Sequence, residues 1–84
     1  MKTNPKRPSP TDLHVGAGIR SLREARQLTQ AELARKLGVT TQQVQKYESG
    51  TNRVSASRLY DIAQVFDVRV SHFFRSLIEP ADDA

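Results

Sequence analysis

The chain has 84 residues and no cysteine, with 13 Lys or Arg against 9 Asp or Glu, a formal net charge of +4. That length holds one modest domain and excludes a second domain, a large substrate cleft or a cofactor-binding fold, and the lack of cysteine excludes a disulfide framework or a cysteine-based zinc site. Residues 1–78 carry all 13 basic side chains but only 6 of the acidic ones, so a basic body precedes a short acidic tail with Glu79, Asp82 and Asp83. Such a balance suits a polyanionic partner, but it is equally what a solvated surface looks like, so charge alone decides nothing.

No stretch approaches the 18 apolar residues a membrane span requires, and the N-terminus is polar and Pro-rich rather than signal-like. No membrane partner is expected, and the cytoplasm is the expected location. Residues 1–8 lack apolar periodicity and read as a disordered basic arm, in which Lys2, Lys6 and Arg7 either add delocalised phosphate contacts or simply solubilise. The domain proper is expected over residues 9–78, and residues 79–84 form the acidic tail.

Ser9, Pro10 and Asp12 have the pattern of an N-cap, a first-turn proline and an early carboxylate, which predicts a first helix running to about Arg26. Val15, Ile19, Leu22 and Leu28 are its core candidates, while Gly16 and Gly18 weaken its first half. Thr29 and Glu32 form a capping box ahead of Leu33, Ala34 and Leu37, and Gly38 stops that second helix after two turns. Thr40 and Gln43 make another box, opening a third helix that reaches Glu48 or Ser49 and is closed by Gly50. After the polar loop Thr51, Asn52 and Arg53, Val54 turns back toward the core. Ser55 caps a fourth helix with Leu59, Ile62, Ala63 and Phe66 on one face. Ser71 is expected to cap a last short helix carrying Phe73, Phe74 and Leu77, and Pro80 to end the ordered chain. No alternating strand pattern is present, so the expected fold is all-α with five short helices.

Residues 30–49 fit two helices meeting at a tight angle. Ala34 gives the small residue that a close crossing needs, and Gly38 gives the positive φ that the corner needs. Leu33, Leu37, Val39, Val44 and Tyr47 fill the angle. At 100° per residue Val44 and Tyr47 point inward with Thr40 beside them. Gln42, Gln45, Lys46 and Ser49 then point outward, with Thr41 at the rim. Amide groups that donate and accept together can read an adenine edge, Lys46 can donate to guanine, and Thr41 offers a hydroxyl and a methyl. Ordinary solvent-facing Thr and Gln would look the same one at a time. Their placement on a matched corner is what gives the pattern its weight. Gln30, at the first turn of the second helix, is placed to meet a phosphate or merely to cap, and Asn52 and Arg53 would lie beside a DNA backbone.

Val70, Phe73, Phe74 and Leu77 fall within eight residues and serve either core closure or a dimer seam, the seam candidates being Val70, Phe74 and Leu77. His14 and His72 have no convergent carboxylates, so no metal site is expected. Gly16 and Gly18 sit within a helix with no strand before them, so a nucleotide fingerprint fails. No enzyme activity, cofactor or small-molecule ligand is expected.

The run LREARQLTQAELARKLGVTTQQVQKYESG closely resembles the helix-turn-helix of the lambda-repressor-like, Xre/Cro-type regulators, and TNRVSASRLYDIAQVFDV resembles that family's fourth helix. The resemblance spans about Val15 to Phe74. It implies a five-helix lambda-repressor-like DNA-binding domain whose third helix enters the major groove of double-stranded DNA, usually as a homodimer on a pseudo-palindromic operator. By that pattern Gln30 is a phosphate-contacting glutamine; Thr40, Asn52 and Arg53 are further phosphate candidates by their places at the two ends of the third helix. Thr41, Gln42 and Lys46 occupy the main base-reading positions, and Gln43 and Gln45 secondary ones. Arg23 and Glu48 match a family ion pair. The sequence ends soon after the domain, so built-in effector control is not expected. The function expected is a bacterial or phage transcriptional regulator, more specifically a repressor. Two other readings stay open: the antitoxin of a toxin–antitoxin pair, and an interaction module that keeps the fold without binding DNA.

Overall fold

The computed structural model describes residues 9–78. The expected basic arm, the acidic tail and the stop at Pro80 lie outside the described residues. The chain folds as α1 (Pro10–Ala25), α2 (Gln30–Leu37), α3 (Thr41–Ser49), α4 (Ala56–Phe66), a 3₁₀ segment (Val70–Phe74) and the single turn α5 (Arg75–Ile78). There is no strand among the described residues.

Helix starts follow side-chain capping. The Ser9 hydroxyl accepts the Asp12 N–H at 3.0 Å, and Ser55 accepts the Arg58 N–H at 3.1 Å. At α2 the box is complete: Thr29 accepts the Glu32 N–H at 3.0 Å and donates its own N–H to the Glu32 carboxylate at 2.7 Å. These bonds satisfy amides that a helix leaves orphaned at its start. α2 and α3 end at Gly38 and Gly50, both in the left-handed region with φ of 73° and 76°. α1 and α4 close through the same backbone geometry without glycine, using Gln27 (φ 58°) and Asp67 (φ 55°).

The core gathers Val15 and Ile19 from α1, Leu33 and Ala34 from α2, and Val44 and Tyr47 from α3. Leu59, Ile62, Ala63 and Phe66 come from α4, and Phe73 from the 3₁₀ segment. Leu22, Leu28, Leu37, Val39 and Val54 pack around it, half-buried. α1 packs chiefly on α3, and α2 on α3 and α4, so α3 lies between two supports.

Four expectations need correction. The fifth helix is a 3₁₀ segment followed by one α turn, and Ser71 does not cap it. Arg69 holds the N-cap position without a side-chain bond. With no side chain to satisfy the first amides, the chain tightens to i→i+3 bonds, as in the His72 N–H to Arg69 carbonyl at 2.9 Å. Thr40 is exposed rather than turned inward, because its hydroxyl is spent capping the Gln43 N–H at 3.1 Å. Only that half of the second capping box forms. Finally, Gly16 is not a weak point. A Cβ there would lie 2.4 Å from the Tyr47 carbonyl oxygen and 2.7 Å from that of Glu48, so glycine is what lets α1 touch the end of α3.

Candidate nucleic-acid interface

The corner between α2 and α3 is closed by local bonds. Gly38 adopts the left-handed conformation, and the Val39 N–H then reaches back to the Ala34 carbonyl at 3.0 Å. Ala34 is buried at the crossing, and Leu33, Val44 and Tyr47 are buried with it. With Val44 and Tyr47 inside, helical geometry turns the other side of α3 outward. Gln42, Gln45, Lys46 and Ser49 are exposed on it, while Thr41 and Gln43 are half-buried at its edges.

Beyond α3 the loop is ordered by short polar contacts. The Ser49 and Thr51 hydroxyls meet at 2.8 Å, and the Asn52 N–H donates to the Lys46 carbonyl at 3.2 Å. Asn52 is half-buried, whereas the Arg53 side chain is 79 % exposed. Arg53 Nε stands 3.4 Å from the Asp12 carboxylate on the first turn of α1. That exposed contact is weak and screened, so it leaves the guanidinium accessible to another anion.

Behind α3 lies a polar junction of three helices. Arg23 of α1 donates to both oxygens of the Glu48 carboxylate, through Nε at 2.6 Å and Nη2 at 3.1 Å. Its Nη1 donates to the Leu28 carbonyl at 2.8 Å. The Glu48 side chain is only 4 % exposed. The bond to Glu48 raises the Arg23 pKa above its ordinary value, favouring the charged guanidinium. Gln30, the first residue of α2, completes the junction: its Nε2 donates to Glu48 Oε1 at 3.0 Å.

Thus Gln42, Gln45 and Lys46 share the solvent side of α3, Thr41 and Gln43 flank it at opposite edges, and Thr40 stands at its start. Gln30 lies at the start of α2, and Asn52 and Arg53 follow the far end of α3. The apolar candidates sit elsewhere. Val70 and Phe74 are half-buried against the core, and Leu77 is 46 % exposed. Sequence reasoning missed the Gln30–Glu48 and Asp12–Arg53 contacts, which join positions 18 and 41 apart and leave no periodic trace. It also missed two arginines that cap helix ends, Arg58 on the Leu37 carbonyl and Arg26 on the Phe66 carbonyl, both at 3.0 Å.

The helix-turn-helix family HTH_3 matches residues 19–73. An uncharacterized HTH-type transcriptional regulator of Sinorhizobium medicae is 53 % identical over 74 residues, which cover 88 % of this chain and 53 % of the relative. The chain therefore spans about half the length of that relative. Among solved structures, the restriction-modification controller protein C.AhdI from Aeromonas hydrophila is 29 % identical with a TM-score of 0.70, covering 74 % of this chain and 94 % of its own. The same helical arrangement also forms part of hydroxypropylphosphonic acid epoxidase from S. wedmorenis, at 24 % identity and a TM-score of 0.69, covering 74 % of this chain and 33 % of the enzyme. That likeness is one of fold alone, and it shows that function must be argued from the exposed face.

Proposed function

The chain belongs to the HTH_3 helix-turn-helix family, and from that premise we propose that it is a sequence-specific DNA-binding transcriptional regulator that lays α3 along the major groove. The observation that carries this reading is the exposed side of α3. Gln42, Gln45 and Lys46 face solvent directly opposite the buried Val44 and Tyr47, with no acidic residue in the first turn. A face of amides and one ammonium matches the donor and acceptor edges of bases, and it carries none of the aromatic, Met or Arg anchors that mark the centre of a protein-docking face.

Thr41, Gln42 and Lys46 are assigned the main base contacts, with Gln43 and Gln45 at the margins. Gln30, Thr40, Asn52 and Arg53 are assigned to phosphates, which set position and most of the affinity. The chain acts as a homodimer on a pseudo-palindromic site, with Val70, Phe74 and Leu77 at the seam, and represses by occupying the operator. The cytoplasm is its place of action, and no catalysis, cofactor or small ligand enters the scheme.

Selection of duplexes from a genomic library, followed by gel-shift at physiological salt, tests the proposal. A common pseudo-palindromic motif bound about a thousandfold or more tighter than random DNA is the expected result. Binding that is equal on all sequences, or absent, would overturn it. Co-purification of a toxin would favour the antitoxin reading, in which the chain still binds DNA but its main partner is a protein.

A further inference from the structure

The three-helix junction behind α3 holds more than an ion pair. Glu48 carries its negative charge at the C-terminal end of a helix, the end where the macrodipole disfavours it. Buried ion pairs of this kind add little stability over apolar residues of the same volume. Stability is therefore a poor account of why a carboxylate sits there, and its third contact offers a better one.

The Gln30 side-chain amide has two N–H groups on a rigid plane. One is committed to Glu48 Oε1 at 3.0 Å, which fixes the direction of the second. Glu48 cannot itself drift, because Arg23 grips both its oxygens and is tied in turn to the Leu28 carbonyl. Glu48 also belongs to the same helix as Gln42, Gln45 and Lys46.

We infer that Glu48 is a positioning residue for DNA binding: it holds the Gln30 amide in a phosphate-ready direction and ties that anchor to the base-reading helix. The inference rests on the functional reading above and adds how its phosphate and base contacts are kept in register. Ordering Gln30 before DNA arrives spares that cost on association. A shift of α3 along the groove then has to break either the Gln30–Glu48 bond or the phosphate contact.

The test is a double-mutant cycle on the full chain, read by affinity for a duplex that the wild-type chain has selected from a random-sequence pool. In the wild-type background Gln30→Ala should weaken binding about tenfold, the worth of one hydrogen bond to a charged group. In the background Arg23→Met with Glu48→Met, an apolar replacement of similar volume, the same Gln30→Ala change should cost less than about twofold. That background should also bind DNA about tenfold more weakly while its Tm is unchanged or higher, a pattern that a merely structural pair would not give. An undiminished tenfold cost in the apolar background overturns the inference. A second measurement needs no variant. The ¹⁵N order parameter of the Gln30 side-chain amide in the free protein should approach backbone values near 0.85, while the exposed Gln42 and Gln45 fall lower. A Gln30 value below about 0.6 overturns the inference even if the apolar pair fails to fold. If the wild-type chain selects no duplex, the functional reading falls and takes this one with it. If it selects one and the cycle is additive, only this inference falls.

Discussion

The helix-turn-helix and the C-terminal segment of this domain are held in different ways. The corner between α2 and α3 is fixed by directional bonds: a complete capping box at Thr29 and Glu32, left-handed glycines at both helix ends, and the buried junction of Arg23, Glu48 and Gln30. The 3₁₀ segment after α4 starts without a side-chain cap and fully buries one ring, Phe73, while Val70 and Phe74 are half-buried against the core and Leu77 is 46 % exposed. Directional bonds set angles, and apolar contact sets only proximity. The part proposed to meet base edges uses the first kind, and the part assigned to self-association leaves the second kind partly unsatisfied.

The largest expected effect probes the single ring. Phe73 is 1 % exposed, and Phe73→Ala should cost about 3–5 kcal/mol of stability in urea unfolding. Leu77→Ala should cost less than about 0.5 kcal/mol in the monomer. It should nevertheless weaken self-association in sedimentation if the exposed face is the seam. Equal losses from the two variants would erase the contrast between a buried anchor and an unpartnered edge.

Next in size is the closest approach in the head. Gly16→Ala drives a methyl against the Tyr47 and Glu48 carbonyl oxygens, so it should destabilise by about 1–3 kcal/mol. Gly18 lies two residues along the same helix and faces only Phe73 Cδ1 at 3.4 Å. There alanine should gain about 0.5–1 kcal/mol from helix propensity. Thermal unfolding distinguishes the pair by opposite signs of the Tm change, and a gain at both positions would show that α1 and α3 have room to part.

Those two glycines mark where the sequence could be read and where it could not. Capping residues and Gly38 are legible because the local rule and the tertiary need coincide: the same residue ends a helix and turns the corner. Val44 and Tyr47 were legible because one helical period decides both burial and exposure. Gly16 misled because its local cost is visible in sequence while the partner it makes room for is more than 30 residues away. Gln27 and Asp67 close helices without glycine, so no residue type announced them. The 3₁₀ winding of residues 70–74 depends on a missing cap, which the presence of Ser71 concealed. Gln30 was singled out for a phosphate, but its bond to Glu48 needed three helices to be placed first.

On the DNA side the comparison is between two contacts of different kind. Gln42→Ala should weaken binding to a selected duplex by about 1–3 kcal/mol with little change on random duplex. Arg53→Ala should weaken both alike and reduce the steepness of the salt dependence by about one ion. Filter binding at several salt concentrations separates them. Equal losses for Gln42→Ala on both duplexes would remove it from base reading, and an unchanged salt slope would remove Arg53 from the phosphate contacts.

The smallest effect distinguishes the two capped helices of the corner by pH. The Glu32 carboxyl is held below its ordinary 4.5, first by the Thr29 backbone N–H and then by the Thr29 side chain. A folded-state pKa lowered in this way adds stability that is fully present above about pH 4.5 and is lost as the pH falls through the folded value. The cap of α3 has Gln43 where α2 has Glu32, and an amide does not titrate. Acid should therefore loosen the start of α2 while sparing the start of α3. Glu32→Gln should flatten the decline of stability between pH 5 and pH 3, measured by urea unfolding at each pH. Parallel declines for the two chains would mean that the carboxylate adds nothing the amide lacks. An uncharged cap also suits α3, because a carboxylate at its N-terminus would stand against the phosphates that Thr40 is assigned to meet.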